Sequence, residues 1–256
     1  MSAARDGAAG AARPPFLHAE WRDLVMLNYD VAPGVLAPLV PAGTTLDLWQ
    51  GRALVSVVGF RFLRTRVLGV PIPHHRDFTE VNLRFYVRRE VGGEVRRGVV
   101  FVRELVPRLG VALVARLAYN EPYRAVPMRW SALGPPSADA PRRFVYEWRT
   151  GGVWQQVAAT AVGAPAVPPP DSEATFVAEH YWGYTRQRDG STVEYAVAHP
   201  PWRVRAAESP VLVAEVRSLY GAAFERALAA PPASAFVAEG SPVVVYRPRR
   251  LAAAAA

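Results

Sequence analysis

The sequence predicts an α+β protein, mainly of antiparallel β-strands, in which the sheet curls into a barrel or cone and a few short helices pack outside it. At least eight segments have strand patterns, and several are joined by turn signals typical of hairpins. Strands and helices do not alternate regularly, and no strand leads through a Gly-rich turn into a helix. A doubly wound nucleotide-binding fold is therefore not expected.

In the first half of the chain, residues 16–29 form the first predicted strand, and a breaker cluster separates it from a short helical turn over 35–41. β-Branched and aromatic residues on both sides of Gln50-Gly51 predict a hairpin over 44–62. A second hairpin is expected over 80–106, around Gly92-Gly93, and apolar spacing predicts a helix over 110–118.

In the second half, a third hairpin is predicted over 144–162, between two proline-rich loops. Asp171-Ser172-Glu173 is a helix-start signal, and the helix is expected to reach residue 177. The remaining expected elements are strands over 181–188, 192–199, 202–206 and 243–246 and a helix over 219–228.

Composition excludes several kinds of chemistry. All 30 basic residues are Arg, so no lysine amine can form a Schiff base, anchor pyridoxal phosphate or grip a nucleotide phosphate. Cysteine is also absent, which excludes thiol nucleophiles, thiolate metal sites and disulfides. We expect no cofactor. The net charge of +8 is spread along the chain among 22 acidic residues, which favours a solvated basic surface over a nucleic-acid site.

The chain is expected to form one domain over residues 16–248, with a disordered tail over 1–15 and a C-terminal tail over 249–256. Residues 1–15 lack the apolar centre of a secretory signal, and no segment has the length of a membrane span. A cytoplasmic location without membrane partners is therefore expected, and a homo-oligomer stays open.

The most informative segment is Glu80 to Val87, in which apolar and polar residues alternate. In a strand, one face carries Val81, Leu83, Phe85 and Val87 and the other carries Glu80, Asn82, Arg84 and Tyr86. Facing a cavity, Arg84 would bind an oxyanionic ligand, Asn82 would orient it and Glu80 would move a proton. The alternative is the solvent face of a half-buried sheet, with Glu80 paired to an arginine on a neighbouring strand.

Histidine appears beside tryptophan in Glu179-His180-Tyr181-Trp182 and in His199-Pro200-Pro201-Trp202. Either histidine could carry a proton in an aromatic pocket, or both could be hydrogen-bonded packing residues. The pair His74-His75 would need His18 or Glu20 to bind a metal, because adjacent side chains of an extended segment point apart. We therefore expect no metal site.

Five motifs resemble one bacterial protein family. They are Trp21-Arg22-Asp23-Leu24, Leu39-Val40-Pro41-Ala42-Gly43, Glu80 to Val87, Glu121-Pro122-Tyr123 and His199-Pro200-Pro201-Trp202. Together they resemble the YqjF-like domain-of-unknown-function family 2071, which belongs to the acetoacetate decarboxylase-like superfamily. The resemblance covers about residues 16–248 and implies a cone-like β-barrel with a central cavity and flanking short helices.

The superfamily's decarboxylase forms an iminium on a lysine, assisted by a Glu and an Arg. The resemblance makes Glu80 the counterpart of that Glu, and in Arg103-Glu104-Leu105-Val106-Pro107-Arg108 it puts Arg108 where a lysine would stand. Amine-catalysed decarboxylation of acetoacetate is therefore not expected.

Two functions remain open at this point. The first is an enzyme for a carbonyl or carboxylate compound, of lyase, hydratase or isomerase type, with Glu80, Tyr86 and His199 as catalytic residues. Its substrate-binding residues would be Asn82, Arg84, Arg103, Arg116, Tyr123 and Trp202. The second is a non-catalytic binding or carrier protein that uses the same cavity, in which Glu80 only holds Arg84 in place.

Overall fold

The computed structural model describes residues 13–71, 76–107, 120–137 and 139–251. The described part is mostly antiparallel sheet with a few short helices, as the sequence predicts. The strands are β1 (Pro15–Val31), β2 (Thr45–Leu46), β3 (Ala53–Val67), β4 (Val70–Pro71), β5 (Phe78–Val91), β6 (Glu94–Val106), β7 (Tyr123–Ala125), β8 (Met128–Leu133), β9 (Arg142–Thr150), β10 (Val153–Ala166), β11 (Trp182–Arg186), β12 (Thr192–Ala198), β13 (Val204–Val213), β14 (Ser234–Tyr246) and β15 (Arg249–Arg250). The α-helices are α1 (Pro33–Leu36), α2 (Glu173–Ala178), α3 (Val216–Leu219) and α4 (Glu225–Ala229), and 3₁₀ turns cover Ala37–Leu39 and Ala222–Phe224. Within this part, no helix is both long enough and apolar enough to cross a membrane.

All described strands belong to one sheet. Its main order is β15-β12-β11-β6-β5-β3-β1-β14-β13-β10-β9-β8, and β12 also pairs with β14. Among the described pairings, those of β6 with β11 and with β7 are parallel, and the others are antiparallel. The 17-residue strand β1 lies between β3 and β14, and β5 lies between β3 and β6.

Two predicted hairpins are confirmed by turns of paired glycines. Gly92 and Gly93, with φ of 56° and 81°, join β5 to β6, and Gly151 and Gly152 join β9 to β10 with φ of 57° and 82°. Positive φ at both turn residues matches the twist of the flanking strands and is accessible to glycine without a steric penalty. The helix predicted to begin near Ser172 is also confirmed, because the Ser172 side chain accepts a hydrogen bond from the Thr175 N–H.

The predicted hairpin over 44–62 is wrong in its pairing. Only a bridge between Trp49 and Arg52 joins its arms, and β2 pairs with β5 instead of β3. The Asp47 N–H donates to the Tyr86 carbonyl, and the Asp47 carboxylate binds Arg97, so this segment is drawn towards β5 and β6.

The predicted helix over 219–228 is divided in the structure. Helix α3 ends at Leu219, a 3₁₀ turn follows, and α4 begins at Glu225. The division is at Gly221, whose φ of 103° cannot continue a helix. The helix predicted over 110–118 lies outside the described residues.

Strand β5 is buried on both faces. One face of β5 belongs to the first core cluster through Val81, Leu83, Phe85 and Val87. The other face packs against a second cluster, which is rich in aromatic residues. Glu80 is 2% exposed, Asn82 1% and Arg84 8%. The alternative in which these residues form a solvent face is therefore wrong, because a second layer covers them.

Candidate functional site

A pocket of about 240 Å³ lies on the polar side of β5. Its apolar walls include Trp21, Phe60, Phe62, Phe78, Phe101 and Trp202. Its polar lining includes Glu80, Asn82, Arg84, Glu104, Glu121, Tyr123, His180, Tyr195 and His199. A mostly apolar pocket with a few convergent polar groups is typical of sites for small organic molecules.

Strand register brings the polar residues together. On β5, Glu80, Asn82 and Arg84 share a face at intervals of roughly 6.5–7 Å. Asn82 lies opposite Glu104 on β6, and Glu104 in turn lies opposite Tyr123 on β7. The pocket therefore receives polar groups from three adjacent strands.

Three buried carboxyl groups form the acidic side of the pocket. Glu80 accepts hydrogen bonds from Asn82 Nδ2 at 2.9 Å and from the Tyr123 hydroxyl at 3.2 Å. Glu121 accepts one from the Tyr195 hydroxyl. Glu104 Oε2 is buried and makes no hydrogen bond. An ionised oxygen is costly to leave buried and unpaired, which favours the protonated form of Glu104.

Burial keeps these carboxyl groups partly protonated near neutral pH. It raises the pKa of Glu80 to about 7, although hydrogen bonds from Asn82 and Tyr123 and the charge of Arg84 act in the opposite direction. Burial also raises the pKa of Glu121 to about 8. For Glu104, burial and the charges of Glu121 and Glu80 raise the pKa well above its ordinary value. These three carboxyl groups can therefore both donate and accept protons near neutral pH.

Arg84 supplies a cation whose hydrogen-bonding capacity is only partly used. Its Nη2 donates to the Val177 carbonyl at 3.3 Å, and its buried Nε has no hydrogen-bond partner. The ion pairs among the described residues do not include Arg84. A buried guanidinium without a carboxylate partner can bind a carboxylate through paired N–H groups.

Two histidines complete the lining, and both are neutral. His199 Nδ1 donates to the Pro200 carbonyl at 2.9 Å, and its ring stacks on Trp202 at 4.3 Å. His180 Nε2 lies 3.3 Å from Asp47 Oδ2. Burial lowers the pKa of each histidine to about 4, in spite of these hydrogen bonds.

Six of the sequence-predicted site residues line the pocket. They are Glu80, Asn82, Arg84, Tyr123, His199 and Trp202.

Two other predicted residues are not part of the lining. Tyr86 shares a 2.5 Å hydrogen bond with the Ser56 hydroxyl, and its ring packs on His180. Arg103 donates from Nε to the Leu219 carbonyl. Arg116 lies outside the described residues. Among those described, no group of three or more His, Asp or Glu could hold a metal, and His74-His75 is not in that part.

Sequence reasoning missed Glu104, Glu121 and Tyr195 as pocket residues. Glu104 is an acidic residue in an apolar stretch of β6, which was the signal available to find it. Its role depends on pairing with Asn82, and that of Glu121 on the hydrogen bond from Tyr195, 74 residues away. Neither partner can be identified from local spacing.

Comparisons with known proteins point to one family. The model of the DUF2071 family, described as an uncharacterized conserved protein, matches residues 18–248. The protein YqjF of Bacillus subtilis (strain 168), described as uncharacterized, is 29% identical over 203 residues, which are 78% of this chain and 80% of YqjF.

Among solved structures, similar folds occur in acetoacetate decarboxylase-like proteins. The acetoacetate decarboxylase of Legionella pneumophila has a TM-score of 0.62 at 14% identity, with 95% of this chain and 90% of that chain covered. The enduracididine biosynthesis enzyme MppR, in complex with pyruvate, has a TM-score of 0.66 at 14% identity, with 94% and 92% covered. An acetoacetate decarboxylase-like enzyme from Sphingomonas wittichii RW1 has a TM-score of 0.61 at 15% identity, with 94% of each chain covered. At these identities the likeness concerns the fold.

Proposed function

The chain belongs to the DUF2071 family, and from this premise we propose that it is an enzyme that acts on a small carbonyl or carboxylate compound by acid/base chemistry. The observation that carries the proposal is that one aromatic pocket contains both the Arg84 guanidinium, whose Nε has no hydrogen-bond partner, and the buried Glu80 carboxyl. The reaction is of lyase, hydratase or isomerase type.

Substrate binding begins at Arg84. A carboxylate there accepts a hydrogen bond from the Nε–H group, which has no other partner, and supplies a counter-charge to a buried cation. Asn82 lies between Arg84 and Glu80 on the same strand face, and its buried Oδ1 has no hydrogen-bond partner. The four residue steps from Glu80 to Arg84 span roughly 13 Å of strand, so a substrate several atoms long reaches both side chains.

Proton transfer is the task of the carboxyl groups. The Glu80 carboxylate removes a proton from a carbon next to a carbonyl, and the C–H electron pair forms the C=C bond of an enol. The protonated Glu104 carboxyl donates its proton to the carbonyl oxygen, so that both atoms and charges balance. A positioned acid or base of this kind contributes roughly 10²–10⁴ in rate.

The absence of lysine removes the amine route. With all 30 basic side chains being Arg, no iminium can form on a side chain. The similar structures support an oxo acid as the substrate class, since one is named for acetoacetate and another contains pyruvate. The carboxylate chemistry at Arg84 agrees with that class.

The finer architecture and setting are part of the same proposal. The pairing of β12 with both β11 and β14 supports a cone-like barrel whose interior is the pocket. We further propose a single domain over residues 16–248, a cytoplasmic location, and a small molecule rather than nucleic acid as the partner.

The carrier alternative is less well supported. It needs Glu80 to hold Arg84, yet Glu80 bonds instead to Asn82 and Tyr123, and the described ion pairs do not join it to Arg84. A carrier would also return its ligand unchanged.

The test is exchange of C–H protons for deuterium in a panel of 2-oxo and 3-oxo acids, followed by ¹H NMR in D₂O. Wild-type protein should accelerate exchange for at least one acid, and Glu80→Gln should slow it about 100-fold or more. The matched control is Glu208→Gln, which removes a carboxylate from an exposed position outside the pocket. Equal exchange with wild-type protein and Glu80→Gln would refute the assignment.

A further inference from the structure

The Asp47–His180 pair lies at the pocket and takes no part in the proton transfer described above. His180 follows helix α2, and its side chain is 1% exposed. Its Nε2 lies 3.3 Å from Asp47 Oδ2, and the same oxygen accepts a 2.7 Å hydrogen bond from Arg97 Nε. Asp47 therefore interacts with both Arg97 and His180, and its contact with His180 fixes the orientation of the imidazole ring.

The tautomer of His180 follows from this contact. Burial would raise the pKa of Asp47, but the hydrogen bonds from His180 and Arg97 lower it below its ordinary value, so the group is a carboxylate. A carboxylate only accepts hydrogen bonds, so Nε2 of the neutral ring carries the hydrogen. Nδ1 is therefore an acceptor with a free lone pair.

This acceptor is buried and unsatisfied. His180 Nδ1 has no hydrogen-bond partner, and His180 is one of the residues that line the pocket. Buried polar atoms of folded proteins are nearly always paired, and the exceptions need a reason. A hydrogen-bond donor on the ligand would satisfy Nδ1.

Arg84 lies close to the His180 side chain. Its Nη2 donates to Val177, three residues before His180. Both side chains also rest against the Tyr86 ring, with the His180 ring centroid at 4.6 Å and Arg84 Cζ at 5.8 Å from its centroid. An anion bound by Arg84 therefore lies near the His180 ring.

We propose that His180 Nδ1 accepts a hydrogen bond from a hydroxyl group on the carbon next to the carboxylate bound by Arg84, so that the pocket selects 2-hydroxy carboxylates with an apolar tail. This rests on the proposed function only in its use of Arg84 as the carboxylate site. The aromatic walls accommodate the tail.

Other substituents at that carbon fit less well. An unsubstituted carbon offers no donor, so Nδ1 stays unpaired in a dry site. A 2-oxo acid offers one only as its enol, in which the oxygen on that carbon has become a hydroxyl group. An ammonium group is a donor, but it brings a positive charge towards Arg84 and Arg97, which already disfavour protonation of His180. The hydroxyl is a neutral donor and avoids both penalties.

The experiment is calorimetric titration of the wild-type protein with matched acids. Propanoate, 4-methylpentanoate and 3-phenylpropanoate are each compared with their 2-hydroxy and 2-amino derivatives. For the tail length that binds best, the 2-hydroxy acid should bind at least about tenfold more tightly than the unsubstituted and 2-amino acids. If the wild-type protein does not prefer the 2-hydroxy acid, or binds none of the 2-hydroxy acids, the proposal is wrong.

Two variants separate the two proposals. His180→Phe should abolish the preference and leave the affinity for the unsubstituted acid within about twofold, while His18→Phe, the same change at an exposed position, should leave the preference intact. Arg84→Gln should weaken both acids. If Arg84→Gln leaves both unaffected, the carboxylate site of the proposed function fails. If it weakens both but the wild-type protein shows no preference, only the role of His180 fails.

A spectroscopic readout applies even where His180→Phe does not fold. In ¹⁵N-histidine spectra of the wild-type protein, His180 Nδ1 should have the shift of an unprotonated nitrogen. The 2-hydroxy acid should move this resonance and the unsubstituted acid should not. Equal shifts with both acids would contradict a hydrogen bond from the hydroxyl group.

Discussion

Replacing Glu80 by Gln should remove a measurable part of the dependence of stability on pH. Glu80 is 2% exposed and has a pKa of about 7 in the folded protein, raised by burial from an ordinary 4.5. Between these two values the folded state binds a proton that the unfolded state has lost. The free energy of unfolding therefore falls as pH rises through this window.

The magnitude follows from the two pKa values. Integrated from pH 5 to pH 8, the loss attributable to Glu80 is about 2–3 kcal/mol, at about 1.4 kcal/mol per pKa unit. His180 and His199 act in the opposite direction, because burial lowers their pKa to about 4 and stability gained from them rises with pH up to about 6.5. The difference between wild type and variant isolates Glu80 from them.

The assay is urea unfolding of wild type, Glu80→Gln and the exposed control Glu208→Gln at several pH values from 5 to 8. Relative to wild type, Glu80→Gln should gain about 2–3 kcal/mol in stability over this range. For the control, the free energy of unfolding should change with pH in the same way as for the wild-type protein. A constant difference between wild type and Glu80→Gln would refute the claim that burial holds the proton on this carboxyl group.

Three further predictions concern stability. Tyr86→Phe removes a hydroxyl group that is hydrogen-bonded to Ser56 and lies outside the pocket lining. It should lower the free energy of unfolding in urea by about 1–2 kcal/mol and leave the deuterium exchange of the oxo acids unchanged. A large loss of that exchange at unchanged stability would instead make Tyr86 a catalytic residue. Glu194→Gln leaves three arginines without their shared carboxylate and should cost about 3–5 kcal/mol, and a cost below about 0.5 kcal/mol would contradict a structural role for these ion pairs. Gly183→Ala places a methyl group into the Tyr195 ring and should cost roughly 1–3 kcal/mol in thermal unfolding; an unchanged melting temperature would show that the ring moves aside freely.

Much of the fold is readable locally. The two-residue period from Glu80 to Val87 predicts which side chains share a face, and the structure divides them in the same way. The glycine pair at Gly92 predicts one hairpin, because few other residues adopt positive φ twice in succession. The hairpin over 144–162 is predicted from its strand segments, and its turn is also a glycine pair. The 44–62 segment shows the limit of this reasoning, since its turn forms but its strand pairs elsewhere.

The sequence alone excludes catalysis through a lysine amine, because a chain without lysine has no such nucleophile in any fold. The polar face of β5 likewise follows from the spacing of its residues. Which groups join Glu80 was decided by tertiary structure. Glu104 comes from the paired strand, Glu121 and Tyr195 meet from positions 74 residues apart, and Asp47 reaches His180 across 133 residues. Strand pairing depends on the packing free energy of the whole core, so contacts that distant have no local signature.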